Sequence, residues 1–122
     1  MGGMTGSPRE LVVEFHHHVG ARIRTAPGLG GSDDLERCAF IEEEAQELRD
    51  AVEANDLTGV TDALADLVYV VYGAALHFGV DLDAAVREVH RSNMTKTPAG
   101  DGKAVKGPGY SPPDLERLTL GA

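Results

Sequence analysis

Five carboxylates, Glu43, Glu44, Glu47, Asp62 and Asp66, fall close together in the sequence, on two segments with helical periodicity. If those segments lie side by side, five oxygen donors converge, with no Cys or His at ligand spacing among them. Hard carboxylate ligands select Mg²⁺, with Mn²⁺ as a substitute, over Zn²⁺, and Mg²⁺ typically shares substrate phosphates. Such a cluster suits displacement at phosphorus. Bound cations neutralise phosphate charge, and one carboxylate takes a proton from the attacking water. Blander readings stay open beside this one: a solvated acidic face for the glutamates, a salt bridge for Asp66 and a helix cap for Asp62.

Two patterns favour convergence. On a helical wheel Glu36, Glu43 and Glu47 share one stripe, with Glu44 nearer the apolar face and Phe40 inside the acid arc. Asp62 and Asp66 are one turn apart, and Asp66 is the sole residue charged at neutral pH in the otherwise apolar or aromatic run Ala63–Leu76. An ionised carboxylate buried there costs several kcal/mol unless it is paired or metal-bound. The opposite sign follows in HRSNMTK. Arg91, Asn93 and Lys96, with Lys103 and Lys106 beyond them, form a candidate phosphate clamp; complementing a helix C-terminus is the alternative for Arg91 and Lys96.

The elements that must position these groups are four helices and a tail. Ser7, Pro8 and Glu10 form a capping box that starts a helix running to about Arg24, weakened at Gly20. The second helix runs from an Asp33 cap to about Ala54, with Cys38, Ile41, Ala45, Leu48 and Val52 on its inner face. The third starts at Asp56 or Thr58 and ends at Gly79; being apolar all round, it calls for burial on several sides, including by a partner subunit. The fourth is capped by Asp81, points Leu82, Ala85, Val86 and Val89 inward, and ends near Met94. From Thr95 the chain reads as a Gly/Pro-rich arm with one helical turn after Pro113. The expected fold is an all-α four-helix bundle completed by oligomerisation: a single domain over 1–122, helical over about 8–94, with an arm over 95–122.

Composition excludes several classes. The chain has 122 residues and a net charge of −9, with 11 Lys+Arg against 20 Asp+Glu. Residues 33–66 hold twelve acids and two bases, a net of −10, and the rest of the chain sums to +1. No basic footprint for a nucleic-acid polymer is present. The single cysteine, Cys38, cannot form an intrachain disulfide. The beginning lacks signal-peptide character, and Ala63–Leu76 is too short to span a bilayer, so a cytoplasmic protein free of the membrane is expected.

Taken in order, Glu14-Phe15-His16, Arg37, Glu43-Glu44-x-x-Glu47, DLVYVVYGA (66–74), FGVDLD (78–83), EVHRSNMTK (88–96) and DGKAVKGPGYSPPD (101–114) resemble the all-α NTP pyrophosphatase superfamily. Within it they look most like the MazG-like group that resembles dimeric dUTPases. The resemblance implies Mg²⁺-dependent hydrolysis of a nucleoside triphosphate, such as dUTP or a non-canonical nucleotide, between the α- and β-phosphates, as house-cleaning of the nucleotide pool. It assigns Glu43, Glu44, Glu47 and Asp66 to the metal, with Glu43 or Glu44 also orienting or deprotonating the water. Asn93 and Lys96 match substrate-binding positions, and Arg37 is counted with them. Phe15, His16, Phe40 and Tyr69 are candidate walls for base and sugar, and Lys103, Lys106 and Tyr110 lie in an arm that could close over the site. The likeness also implies a homodimer or homotetramer.

The pattern departs from the family at one point. The usual second motif, E-x-x-D, would place an acid where Ala63 stands, and Asp62 gives D-x-x-x-D instead. Phosphoribosyl-ATP pyrophosphohydrolase activity is the rival from the same chemistry. A non-catalytic acidic helical dimer serving as an interaction module is the rival from another class.

Overall fold

The computed structural model describes residues 6–120. Its elements are α1 (Pro8–Val19), α2 (Asp34–Glu53), α3 (Leu57–Phe78), α4 (Leu82–Asn93), β1 (Thr97–Gly100), β2 (Lys103–Val105) and a 3₁₀ turn, Glu116–Leu118. Among the described residues the chain is thus mostly helical, with four helices and one small two-stranded sheet. It forms two compact units, Met1–Gly79 and Val80–Ala122.

In the first unit α3 packs against both α2 and α1. The capping box at α1 forms as the sequence predicts: Glu10 N–H donates to Ser7 Oγ at 3.2 Å, and Ser7 N–H donates to Glu10 Oε1 at 3.0 Å. The helix stops earlier than the expected Arg24. Gly20 adopts φ +73°, and the amides of Gly20 and Ala21 fold back onto the carbonyls of His17 and His16, closing the helix. Val12 (1% exposed) and His16 (4%) are the residues α1 buries.

Between α1 and α2 the chain wraps the end of α3. Arg24 N–H donates to Leu76 O, and Gly28 N–H to Phe78 O, each at 3.0 Å. Gly79 ends α3 at φ +71°, and a Cβ there would strike the carbonyl oxygen of Ala26, so both conformation and space demand glycine. Asp56 caps the other end of α3, accepting from Gly59 N–H at 3.0 Å.

The inner face of α2 matches the expected one only in part. Asp34, Arg37, Ile41, Glu44, Leu48 and Ala51 are the part-buried positions, so Ile41 and Leu48 face inward as expected, whereas Cys38, Ala45 and Val52 are exposed. Hydrophobicity alone misplaces the stripe because the inner face also carries an aspartate, an arginine and a glutamate. Along α3 burial is uneven. Gly73 to His77 are buried, while Leu64 (50% exposed), Val68 (47%) and Tyr69 (38%) remain open. By length and composition α3 could cross a membrane, longer than the apolar run within it, yet it is the central packing element of this unit and carries Asp62 and Asp66.

In the second unit Asp81 caps α4 by accepting from Ala84 N–H at 3.0 Å. Its inward stripe is only partly the expected one: Leu82 and Ala85 are half-buried, but Val86 and Val89 are exposed, and Glu88 and Ser92 are buried. The arm causes this, because it docks on α4 through polar bonds. Asp114 N–H donates to Glu88 Oε2 and Ser111 N–H to Thr95 Oγ1, both at 2.8 Å. The arm also holds an antiparallel hairpin that alternation does not predict, pairing Thr97 with Val105 and Gly100 with Lys103. Its one sequence signal is Asp101-Gly102, a turn pair whose residues take φ +53° and +72°.

Candidate active site

The site begins with the register of α2 against α3. The two helices run antiparallel, and three levels of contact define their alignment. Glu44 and Glu47 face Asp66, Arg37 meets Gly73, and Asp34 meets His77. Going from the acids toward the α2 N-terminus, Phe40 lies one turn on and Arg37 two, about 10 Å along the axis at 1.5 Å per residue.

At the first level Glu44, Glu47 and Asp66 each offer an oxygen, and these atoms lie within 4.8 Å of one another. Glu44 Oε2 is buried and has no hydrogen-bond partner among the described residues. As carboxylates, the three have no hydrogen to share. A proton on Glu44 resolves this by bonding to Glu47. That bond, with burial and the charges of Glu47, Asp66 and Glu43, pushes the Glu44 carboxyl from 4.5 up to about 7. A divalent cation resolves it more completely. The donor set is all oxygen, the spacing suits one ion, and one Glu44 oxygen is buried without a partner among the described residues, so these residues fit a hard cation such as Mg²⁺ or Mn²⁺.

The other two acids sit differently. Glu43 is exposed on α2 outside this triad, though near enough for its charge to act on Glu44. Asp62 is exposed and lines a shallow depression with Asp56, Thr58, Gly59 and Thr61. Buried Ala63 (3% exposed) occupies the turn preceding Asp66 and offers no donor.

At the second level, His16 of α1 and Arg37 of α2 meet over Gly73 of α3. A Cβ on Gly73 would lie 3.4 Å from His16 Cε1 and 3.6 Å from Arg37 Nη1. His16 Nδ1 donates to Val12 O at 3.1 Å, which leaves Nε2 as a buried acceptor without a partner among the described residues. Burial first, then the nearby charge of Arg37, lowers the His16 pKa and keeps the ring neutral. The Arg37 guanidinium lies 5.6 Å from the Phe40 ring centre. Tyr69 stands edge-on to Phe15, ring centres 5.6 Å apart.

A second acid cluster, Asp33, Asp34 and His77, has ligand-like spacing too. Both of its carboxylates already have partners. His77 Nε2 is 2.7 Å from Asp34 Oδ1, a hydrogen bond, and Arg22 Nη2 gives Asp33 a cation at 3.4 Å.

The expected phosphate clamp belongs to the second unit. Arg91 is engaged there: Nε and Nη2 donate to Glu88, Nη1 to Ser111 Oγ and Nη2 to Pro112 O. Asn93 ends α4 exposed, Lys96 is half-buried, and Lys103 is exposed on β2. Lys106 places Nζ 5.2 Å from the Tyr110 ring centre. Sequence reasoning missed Glu88, the acid that fixes the arm; its signal was a glutamate three residues before an arginine on a helix, a common surface pair.

Fold and site together define an all-α protein with an acidic, metal-ready cluster between two antiparallel helices. The sequence model of the phosphoribosyl-ATP pyrophosphohydrolase family matches residues 12–93, and the chain belongs to that family, within the all-α NTP pyrophosphatase superfamily. The narrower MazG-like assignment lies beyond what this match reaches. The chain is also similar to Uncharacterized protein L479 of Acanthamoeba polyphaga mimivirus, 49% identical over 47 residues. That stretch is 38% of this chain and spans only 19% of the viral protein.

Proposed function

We propose that the protein is a metal-dependent pyrophosphohydrolase that cleaves a nucleoside triphosphate, ribo or deoxy, to the monophosphate and pyrophosphate. The observation that carries this reading is the convergence of Glu44, Glu47 and Asp66, each offering an oxygen within 4.8 Å of the others, with one Glu44 oxygen buried and unpartnered among the described residues. Glu44, Glu47 and Asp66 would hold Mg²⁺, or Mn²⁺ in its place. When bound, the ion neutralises phosphate charge as the bond between the α-phosphorus and its bridging oxygen breaks. Glu43, outside the triad and open to solvent, accepts the proton of the water that attacks the α-phosphorus. Arg37, His16, Phe40 and Tyr69, on the three helices of the same unit, receive the nucleoside. Asn93, Lys96, Lys103 and Lys106, all of the second unit, are carried as phosphate contacts on the resemblance and their residue types alone. The open Leu64, Val68 and Tyr69 of α3 support a homo-oligomer, dimer or tetramer, as the working form.

Phosphoribosyl-ATP is the second substrate reading, and the family match favours it. One assay separates the readings: incubation with ribo- and deoxynucleoside triphosphates, dUTP included, and with phosphoribosyl-ATP, in Mg²⁺, Mn²⁺ or EDTA. Metal-dependent pyrophosphate with a nucleoside monophosphate supports the main reading. Turnover of phosphoribosyl-ATP alone moves the assignment to the second. No release from any of them leaves the acidic interaction module.

A further inference from the structure

The α2/α3 pair is tied at both ends, and the acidic triad lies between the ties. At one end the three-residue turn from Ala54 to Asp56 joins the helices. At the other stands a contact that the chemistry above does not use. His77, in the last turn of α3, is wholly buried (0% exposed), and its ring stands edge-on to Phe78 with centres 4.9 Å apart. Its Nε2 lies 2.7 Å from Asp34 Oδ1 and 3.7 Å from Asp33 Oδ1. Its Nδ1 is buried with no partner among the described residues, so a proton there would be an unmet donor. Nε2 is therefore the nitrogen that donates to Asp34.

Asp34 is held from its other side as well. Its Oδ2 accepts from the amides of Gly30 and Gly31 at 2.8 and 3.0 Å. The carboxylate is thereby fixed to the linker, to the first residue of α2 and to the last turn of α3. Such a contact is directional, unlike the partial burial of Ile41, Leu48 and Ala51 between these points, which tolerates sliding. A slip of one residue shifts a helix by about 1.5 Å and turns its side chains by about 100°, enough to remove Asp66 from the two glutamates.

We propose that His77 is a positioning residue whose bond to Asp34 sets the axial register of α2 on α3, and so the gap between Glu44, Glu47 and Asp66. This rests on the reading of that triad as a metal site. His77 touches no reacting group. It acts over a distance of about 16 Å along α3, the rise between residues 66 and 77.

The test is titration of Mn²⁺ alone into the full chain, with helicity checked by circular dichroism. Four proteins are compared: wild type, His77→Leu, His77→Gln and Asp34→Ala. A glutamine amide reaches about as far as Nε2 and keeps the donor. Asp66→Asn is added as a control that abolishes the titrated signal if it belongs to the triad. The expected result is a loss of about 10–100-fold in Mn²⁺ affinity for His77→Leu and Asp34→Ala, with His77→Gln within about threefold of wild type. A signal that survives Asp66→Asn but not Asp34→Ala belongs to the Asp33, Asp34 and His77 group and overturns the proposal. If His77→Leu does not fold, Asp34→Ala, which leaves no cavity in the core, decides. Wild-type affinity in a folded His77→Leu or Asp34→Ala protein overturns the positioning role alone. Absence of Mn²⁺ binding by the wild type overturns the metal reading, and the positioning role with it.

Discussion

Arg91 grips Glu88 through two parallel bonds, Nε to Oε1 at 3.0 Å and Nη2 to Oε2 at 2.9 Å, and from there holds Ser111 and Pro112 of the arm. A residue whose position suggested a phosphate ligand is thus spent on architecture. The Arg91 bond, then the Asp114 amide, hold the Glu88 carboxyl down at about 2. This depressed value gives stability that is present above the ordinary 4.5 and lost as pH falls through about 2. Arg91→Ala should therefore release the arm without unfolding the first unit. Amide exchange at Asp114 and Ser111 should quicken, whereas exchange in α3 should not change.

Glu44 has the opposite sign. Its folded pKa of about 7 exceeds the ordinary 4.5, so between those values the folded chain holds more protons than the unfolded one. Stability contributed by this group is full below about 4.5 and is lost as pH rises through about 7. Melting temperature without metal should decline across that window, and Glu44→Gln should flatten the decline. Added Mg²⁺ should reverse it, and Mn²⁺ binding at pH 7 should release about half a proton, seen by calorimetry in buffers of different ionisation enthalpy.

The two aspartates of α3 should separate. Asp66→Asn removes one of three converging oxygens and should weaken Mn²⁺ binding at least tenfold, as loss of a first ligand does more than loss of its outer partners. Asp62→Asn, at an exposed position outside the triad, should leave affinity within about twofold of wild type, since surface changes away from such features have small effects. Equal losses in the two variants would place Asp62 back among the ligands.

Gly73 faces His16 and Arg37 with room for a methyl group and no more. Gly73→Ala should be tolerated, with up to about 1 kcal/mol gained from helix propensity. Gly73→Leu should cost about 1–3 kcal/mol by overpacking and push His16 and Arg37 apart. Denaturant unfolding of both variants checks this.

Much of the fold was legible because local signals act alone. The Ser7 capping box, the Asp56 and Asp81 caps and Gly79 each fix a helix end through bonds made within a few residues. What escaped depends on tertiary contact. The inner face of α2 is defined by α3, which draws Arg37 and Glu44 inward against their hydrophobicity. The inward turn of Glu88 is defined by the arm, whose amide at Asp114 could not be foreseen from α4. Within the candidate site the sequence supplied Glu44, Glu47 and Asp66 by type and spacing. Glu43 and Asp62 stand outside the cluster, in line with two signs in the sequence: Glu44 lies nearer the apolar face than Glu43, and Asp62 is one residue, about 100°, from the position of the motif's acid.

The central claim is that Glu44, Glu47 and Asp66 hold a divalent cation, and anomalous scattering from crystals grown with Mn²⁺ tests it most directly. The account predicts at least one Mn²⁺ peak within about 2.0–2.4 Å of oxygens from all three residues. A map with no peak between them, or with its Mn²⁺ at Asp33, Asp34 and His77 instead, would contradict it.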